Sequence, residues 1–327
     1  LWRAAEGGLM RFLGNLVVIV SSTIAAMILF EFVLRVNNQF VSPNYDIEMW
    51  RYSKEMKVQV SNNDIAHVHV KNGQADLQRV SIETNEIGAR GSKLLPFTDF
   101  ENNILFIGSS VVLGWGVENS DTMSSRLQSL ANNDGLKWQV ANAGIGNYNT
   151  KRTISNYISN LSELGWDTVV YGYFVNDAEK LIPKDGNFLT RNFMIGVLVW
   201  KFLANLNSGD QSLVDYYRSI YEDQSVGFVE MNQSMVQFAN HCKERNIRCV
   251  VAMIPDIHQT QPYELQFIHE KIRKLTVSNG IEFLDLYPEL MDYKPEKLWN
   301  KYNDPHPNSF AHTQMGDAIY QYLLTEQ

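Results

Sequence analysis

From Asn103 onward the chain alternates short apolar runs with amphipathic stretches, and this rhythm restricts the fold more than any other feature. Strand-like runs stand at 103–108, 138–142, 167–174, 247–254 and 281–285. Helical patterns fill the intervals at Asp121–Asn132, Thr150–Leu164, Ser225–Arg245, Tyr263–Asn279 and Ser309–Leu324. Strand-helix alternation at this spacing predicts an α/β fold: a mostly parallel sheet with helices on both faces, in three α/β/α layers. In open sheets of this kind ligands are met beyond the carboxyl ends of the strands.

Chemistry-bearing residues gather at those ends. The first run, Ile104 to Ile107, stops at Gly108 and is followed by Ser109 and Ser110. After the second comes Ala141–Thr150, a loop with glycines at 144 and 146 that can present backbone N–H groups. After the third comes Asn176-Asp177, and before the last helix Asn303-Asp304-Pro305-His306. A hydroxyl, backbone donors, a side-chain amide and a His preceded by an Asp make up the inventory of acyl transfer by an activated serine. Each residue also has a plainer reading. Ser110 can cap the following helix, Asn176 can serve as a turn residue, and His306, between two prolines, can be a structural loop histidine.

Over residues 101–327 these motifs resemble the SGNH hydrolases, also called the GDSL lipase/esterase family. The family's Gly-Asp-Ser-x-x-x-Gly matches Gly108–Gly114, and the glycine four residues past the nucleophile selects Ser110 over Ser109. The Asn of its third motif falls on Asn176. Its C-terminal Asp-x-x-His is shortened to Asp304-Pro305-His306, as in the alginate-acetylating relatives. The stretch Asn85–Gly91 is similar to the lead-in of membrane-anchored bacterial members. The resemblance implies an SGNH-like, flavodoxin-like fold with Ser110 as nucleophile, His306 as base and Asp304 as its orienting carboxylate. It implies an oxyanion hole from the Ser110 N–H, a backbone N–H at Asn147 and the Asn176 amide, with neither metal nor cofactor. The implied substrate is an acylated, most plausibly acetylated, cell-surface glycan or small ester, with the catalytic domain in the periplasm or outside the cell. Water or a sugar hydroxyl can complete the cycle, so the sequence leaves esterase and O-acyltransferase both open. Two departures stand out: Ser109 replaces the motif's Asp, and Asn147 replaces its second-motif glycine. They motivate an alternative, a non-catalytic subunit docked through its membrane helix on a membrane protein complex.

The N-terminus carries a different signal. Arg11 and Arg35 bracket Phe12–Leu34, an apolar run interrupted by Asn15, Ser21 to Thr23 and Glu31. As a helix it spans roughly 34 Å, enough for a hydrocarbon core of about 30 Å. A cleaved signal peptide has a shorter apolar region followed by a small-x-small site, so the reading is an uncleaved anchor in the bilayer through residues 12–34. Glu31 sits near one end, where it can reach the interface or pair with Arg35. Arg3 and Arg11 before the span nearly balance Arg35, Arg51 and Lys54 after it, so charge does not set orientation.

The expected organisation is an anchor at 1–36, a β-rich juxtamembrane annex at 37–100 and the SGNH-like domain at 101–327, with a helical insert at 178–225. In the annex, Met56–Val60, Ala66–Lys71 and Gln78–Glu83 alternate with period two, predicting three half-exposed antiparallel strands. His67 and His69 share a face of theirs, expected on a surface strand and not at a metal. Within the insert, Phe188–Leu206 is rich in Phe, Leu, Val, Met and Trp. It is expected to pack on the domain's flank, the other readings being a lid or a surface leaning on lipid. A net charge of -8 with no basic run argues against a nucleic-acid partner. Whether Cys242 and Cys249 are bonded is left open. Asp285 is expected as a structural cap, Asp177 as a loop-fixing residue, and His258 and His312 as exposed.

Overall fold

A computed structural model describes residues 2–181, 186–206, 212–258, 260–301 and 304–325. Asn303, which leads the C-terminal motif, and residues 182–185 and 207–211 of the insert lie outside the described residues.

The chain opens with α1 (Trp2–Phe40) and α2 (Tyr45–Glu55). Two strand pairs follow, β1 (Lys57–Gln59) with β2 (His67–His69) and β3 (Gln74–Leu77) with β4 (Val80–Glu83). The alternating part runs β5 (Asn102–Gly108), α3 (Ser110–Leu113), α4 (Met123–Asn133), β6 (Trp138–Gly144), α5 (Thr150–Asn156) and β7 (Thr168–Phe174). The insert carries α6 (Phe188–Asn192), α7 (Met194–Leu206) and α8 (Leu213–Ile220). The remainder is α9 (Val226–Arg245), β8 (Arg248–Ile254), α10 (Gln266–Ser278), β9 (Glu282–Asp285), β10 (Trp299–Lys301), β11 (Asp304–Pro307) and α11 (Ser309–Thr325). Two compact units divide it: residues 1–50 with 184–209, and residues 51–183 with 210–327.

In the first unit, Met10–Phe40 of α1 is long and apolar enough to cross a membrane, a property that signal sequences share. Glu31 does pair with Arg35, at 2.8 Å. It also accepts the N–H groups of Met194 and Ile195, each at 3.0 Å. Those are orphan donors of the first turn of α7, where a carboxylate is favoured by unsatisfied N–H groups and by the helix dipole. The apolar part of the insert is thus grouped with α1 in the first unit.

The second unit holds the sheet, five parallel strands in the order β6-β5-β7-β8-β9. Both faces are covered, and β5 shows why its run is apolar at every position. Leu105 and Ile107 enter one core cluster, while Ile104 and Phe106 enter the other. Burying a side chain the size of Phe106 contributes about 1.5–3 kcal/mol. The helix expected over Thr150–Leu164 begins as α5 and continues as a π turn at Tyr157–Leu161 and a 3-10 turn at Ser162–Leu164. Cys242 and Cys249 are joined by a disulfide linking the end of α9 to β8.

The annex differs from the three-strand expectation. Its strands form two separate antiparallel pairs, β1 with β2 and β3 with β4. Gln78 and Arg79, read as strand, are the two-residue turn of the second pair, with φ of 52° and 67°. Positive φ at both central residues suits the right-handed twist of a tight hairpin, whatever residues supply it. The His67 and His69 face is buried, not exposed, at 7% and 3% relative accessibility.

Candidate active site

Three glycines lie side by side at the ends of the central strands, Gly108 opposite both Gly144 and Gly172. A Cβ on Gly108 or Gly172 would lie 2.4 Å from Val112 Cγ2, and one on Gly144 would lie 2.3 Å from the Leu113 amide nitrogen. The bare backbone therefore lets α3 settle directly on the strand ends. Ser109 is the N-cap of α3, and Ser110 is its first residue. Ser110 is therefore not at the N-cap position, and the Ser109 side chain there makes no capping hydrogen bond. As the first helical residue, Ser110 has a backbone N–H with no intrahelical acceptor.

Buried Arg90 braces the other end of this helix. Its guanidinium donates to the carbonyls of Leu113 at 2.8 Å, Gly114 at 2.6 Å and Val117 at 2.7 Å. Its own N–H donates to the Asn142 carbonyl of β6 at 2.7 Å. The Asn85–Gly91 stretch, read from sequence only as similar to a family lead-in, thereby pins the helix that carries Ser110 to the sheet.

His306 reaches the site from β11. Its Nε2 is 2.8 Å from Ser110 Oγ, and its Nδ1 is 2.7 Å from Asp304 Oδ1. Asp304 is buried at 2% relative accessibility. A carboxylate accepting from Nδ1–H leaves Nε2 as the lone-pair nitrogen facing the hydroxyl, which is the tautomer a general base requires. The short Asp-x-His spacing reaches this geometry because strand β11 places residues 304 and 306 on one face.

The expected oxyanion donors stand around the same strand ends. Asn147 follows the β6 loop with φ of 64°, the left-handed conformation that Asn tolerates better than most residues. The Gly146 N–H is occupied by the Tyr52 hydroxyl at 2.9 Å, so it is not an open donor. Asn176 occupies the turn after β7, where its carbonyl accepts the Glu179 N–H at 2.9 Å. Its side-chain Oδ1 is buried and has no hydrogen-bond partner among the described residues.

The five-stranded parallel sheet and its flanking helices match the SGNH α/β/α fold that the sequence motifs resemble. No family model and no curated protein matches the sequence. Among solved structures the chain is similar to a G-D-S-L family lipolytic protein from Desulfitobacterium hafniense, at 13% identity over 68% of this chain and 99% of that one, with a TM-score of 0.43. It is similar to a psychrotrophic esterase from Pseudoalteromonas sp., at 12% identity, 69% and 98% coverage and a TM-score of 0.45. An acetylxylan esterase from Geobacillus stearothermophilus gives 12% identity, 68% and 94% coverage and a TM-score of 0.46.

The remaining candidates separate clearly. Asp285 is structural, as expected: it accepts from His269 Nδ1 at 2.8 Å and from the Tyr287 N–H at 3.0 Å. Asp177 is wholly buried, and its carbonyl fixes the start of α5 through the Thr150 N–H and hydroxyl. Burial pushes its carboxyl up to about 8, against the opposing hydrogen bond from Tyr171. His312 is buried, not exposed, and its Nδ1 accepts the Met123 N–H at 3.3 Å. The surface reading suits His258, which is exposed, holds Asp256 at 2.5 Å and packs edge-on to Trp299. Sequence reading missed Tyr52, Lys57 and Arg90. Tyr52 and Lys57 touch Gly146 from 94 and 89 residues away, and no local spacing announces a contact of that range.

Proposed function

We propose that this protein is a serine esterase or O-acyltransferase that removes or transfers a small acyl group, acetyl foremost, on a cell-surface glycan. The observation that carries the reading is the Ser110–His306–Asp304 relay, with contacts of 2.8 Å and 2.7 Å. His306 Nε2 takes the Ser110 proton as Oγ attacks the acyl carbonyl. Asp304 stabilises the imidazolium that forms. The tetrahedral oxyanion is met by the Ser110 N–H, a backbone N–H at Asn147 and the Asn176 amide, each such donor contributing about 3–4 kcal/mol to lowering the barrier. Collapse of the intermediate expels the sugar oxygen, which takes the proton from His306 and leaves an acyl-serine. His306 then deprotonates water, giving hydrolysis, or a second sugar hydroxyl, giving transfer. The glycan substrate follows from the sequence resemblance. α1 serves as the membrane anchor, and the Cys242–Cys249 disulfide is in keeping with an oxidising, extracytoplasmic compartment.

The deciding experiment is labelling of the full-length chain in detergent by a fluorophosphonate probe. Ser110 becomes covalently modified, and the Ser110→Ala and His306→Ala variants stay unlabelled. Turnover of p-nitrophenyl acetate with and without an oligosaccharide acceptor then separates transfer from hydrolysis. Equal labelling of wild type and Ser110→Ala, with no turnover, leaves the alternative of a non-catalytic membrane subunit.

A further inference from the structure

One residue of the β6 loop, Gly146, is gripped from both sides by the annex. The Gly146 N–H donates to the Tyr52 hydroxyl at 2.9 Å. The Gly146 carbonyl accepts from Lys57 Nζ at 2.6 Å and lies 3.2 Å from His67 Nε2. Tyr52 is itself fixed by His69 Nε2 at 2.6 Å, and His69 Nδ1 by the Gly88 carbonyl at 3.0 Å. The Tyr148 hydroxyl donates to the His67 carbonyl, closing the grip on the far side of Asn147. Only a glycine fits at 146, since a Cβ there would lie 2.7 Å from the Tyr52 ring.

A trans peptide is planar, and its C=O and N–H point in opposite directions. Holding the Gly146 oxygen toward Lys57 and His67 therefore aims the N–H of the next residue, Asn147, away from the annex. The loop is tied to the strand end beside the nucleophile by the Ile145 N–H on the Gly108 carbonyl, at 3.0 Å. We infer that Lys57, Tyr52 and His67 are positioning residues for catalysis, holding the 146–147 peptide so that the Asn147 N–H serves as the oxyanion donor. The inference rests on the esterase reading and deepens it. A cation on the carbonyl oxygen also polarises the peptide, which strengthens the N–H at its other end. The glycine that the family motif would place at Asn147 is thereby dispensable: the annex imposes the backbone direction that glycine would permit.

The cost of this arrangement supports a dedicated role. Among the described residues no carboxylate pairs with Lys57, whose contacts are the Gly146 carbonyl and the Tyr52 ring at 4.4 Å. Burial, with a smaller push from Arg152, pulls its ammonium down to about 7. The titratable and charged groups around it are Tyr52, His67, His69, Tyr148 and Arg152. Burial holds the two imidazoles neutral, at about 3 for His67 and about 4 for His69. Lys57 is therefore the group in the cluster that changes charge near neutrality.

The test is steady-state turnover of p-nitrophenyl acetate by full-length Lys57→Met, Tyr52→Phe and His67→Gln, with thermal melts alongside. The expected result is a fall in kcat of roughly 10- to 100-fold with KM unchanged, the size associated with a displaced oxyanion donor. Lys57→Arg restores kcat and extends activity to higher pH, because a guanidinium keeps its charge where the wild-type ammonium loses it above about 7. Wild-type kcat in folded Lys57→Met and Tyr52→Phe overturns the inference while leaving the esterase reading intact. If the wild type turns nothing over, a crystal structure of Lys57→Met decides. A rotated 146–147 peptide upholds the clamp without the esterase, and an unchanged one removes it.

Discussion

Ser110 Oγ and His306 Nε2 lie 2.8 Å apart although 196 residues separate them in the chain. One opens α3 just after β5 and the other lies on β11, which pairs with β10 outside the five-stranded sheet, so the meeting depends on the tertiary packing of two separate sheets. Asp304 supports it from the far side of the imidazole. Replacing Asp304 with Asn keeps the shape but reverses the favoured tautomer. Asp304→Asn is expected to lower kcat for p-nitrophenyl acetate by about 10³- to 10⁴-fold with little change in melting temperature. A loss under tenfold removes Asp304 from the relay.

Arg90 holds three carbonyls at and just past the end of α3 through one buried guanidinium, and its backbone N–H ties it to β6. Arg90→Met takes this donor from the Leu113 and Val117 carbonyls in a dry setting, at roughly 1–3 kcal/mol each before relaxation, while the Gly114 carbonyl keeps the Val117 N–H at 3.3 Å. The melting temperature should fall by about 10 °C or more, and fluorophosphonate labelling of Ser110 should slow, because the helix carrying it is freed. A melt within about 2 °C of wild type refutes the brace.

Gly144→Ala tests the seat beneath the helix that Ser110 opens. The added Cβ lies 2.3 Å from the backbone nitrogen of Leu113, which cannot swing away as a side chain could. Overpacking of this kind costs about 1–3 kcal/mol, and the shift it forces should fall on α3. We expect a destabilised protein whose kcat drops by more than its stability loss explains. Unchanged kinetics in a folded variant contradicts this account.

Asp177 makes stability depend on pH in an unusual sense. An unfolded Asp ionises near 3.9, whereas burial keeps the folded carboxyl protonated up to about 8. Between those values the native state binds the extra proton, so this contribution is fully present below the unfolded value and is lost as pH rises through about 8. Asp177→Asn, neutral throughout, should flatten that slope and melt higher relative to wild type at pH 8 than at pH 5. Parallel melting curves for the two proteins across that range count against a buried, neutral Asp177.

Much of this was legible in residue order. The strands at 103–108 and 167–174 announce themselves because burial on both faces demands successive apolar residues, as in Ile104 to Ile107, a local signature. Ser110 and Asn176 were readable because each follows such a run, and His306 because its motif stands just before the last helical stretch; the strand-end rule sends their loops to one edge. The annex was read less well. Alternation showed strands at 57–59 and 67–69 but not which face is buried, and Gln78-Arg79 carries none of the residues that usually mark a tight turn. The apolar insert showed its character but not its neighbour, since the choice of α1 is made by Glu31 and the first turn of α7.

By itself, then, the sequence determined the elements, their layered arrangement and the residue types able to perform acyl transfer, all of which follow from periodicity and chain order. Tertiary structure alone decided that Tyr52, Lys57 and His67 close on Gly146, that Arg90 braces α3, and that His312 is buried. Those contacts join residues 23 to 189 positions apart. Their existence depends on the free energy of packing the whole unit, which no window of sequence contains.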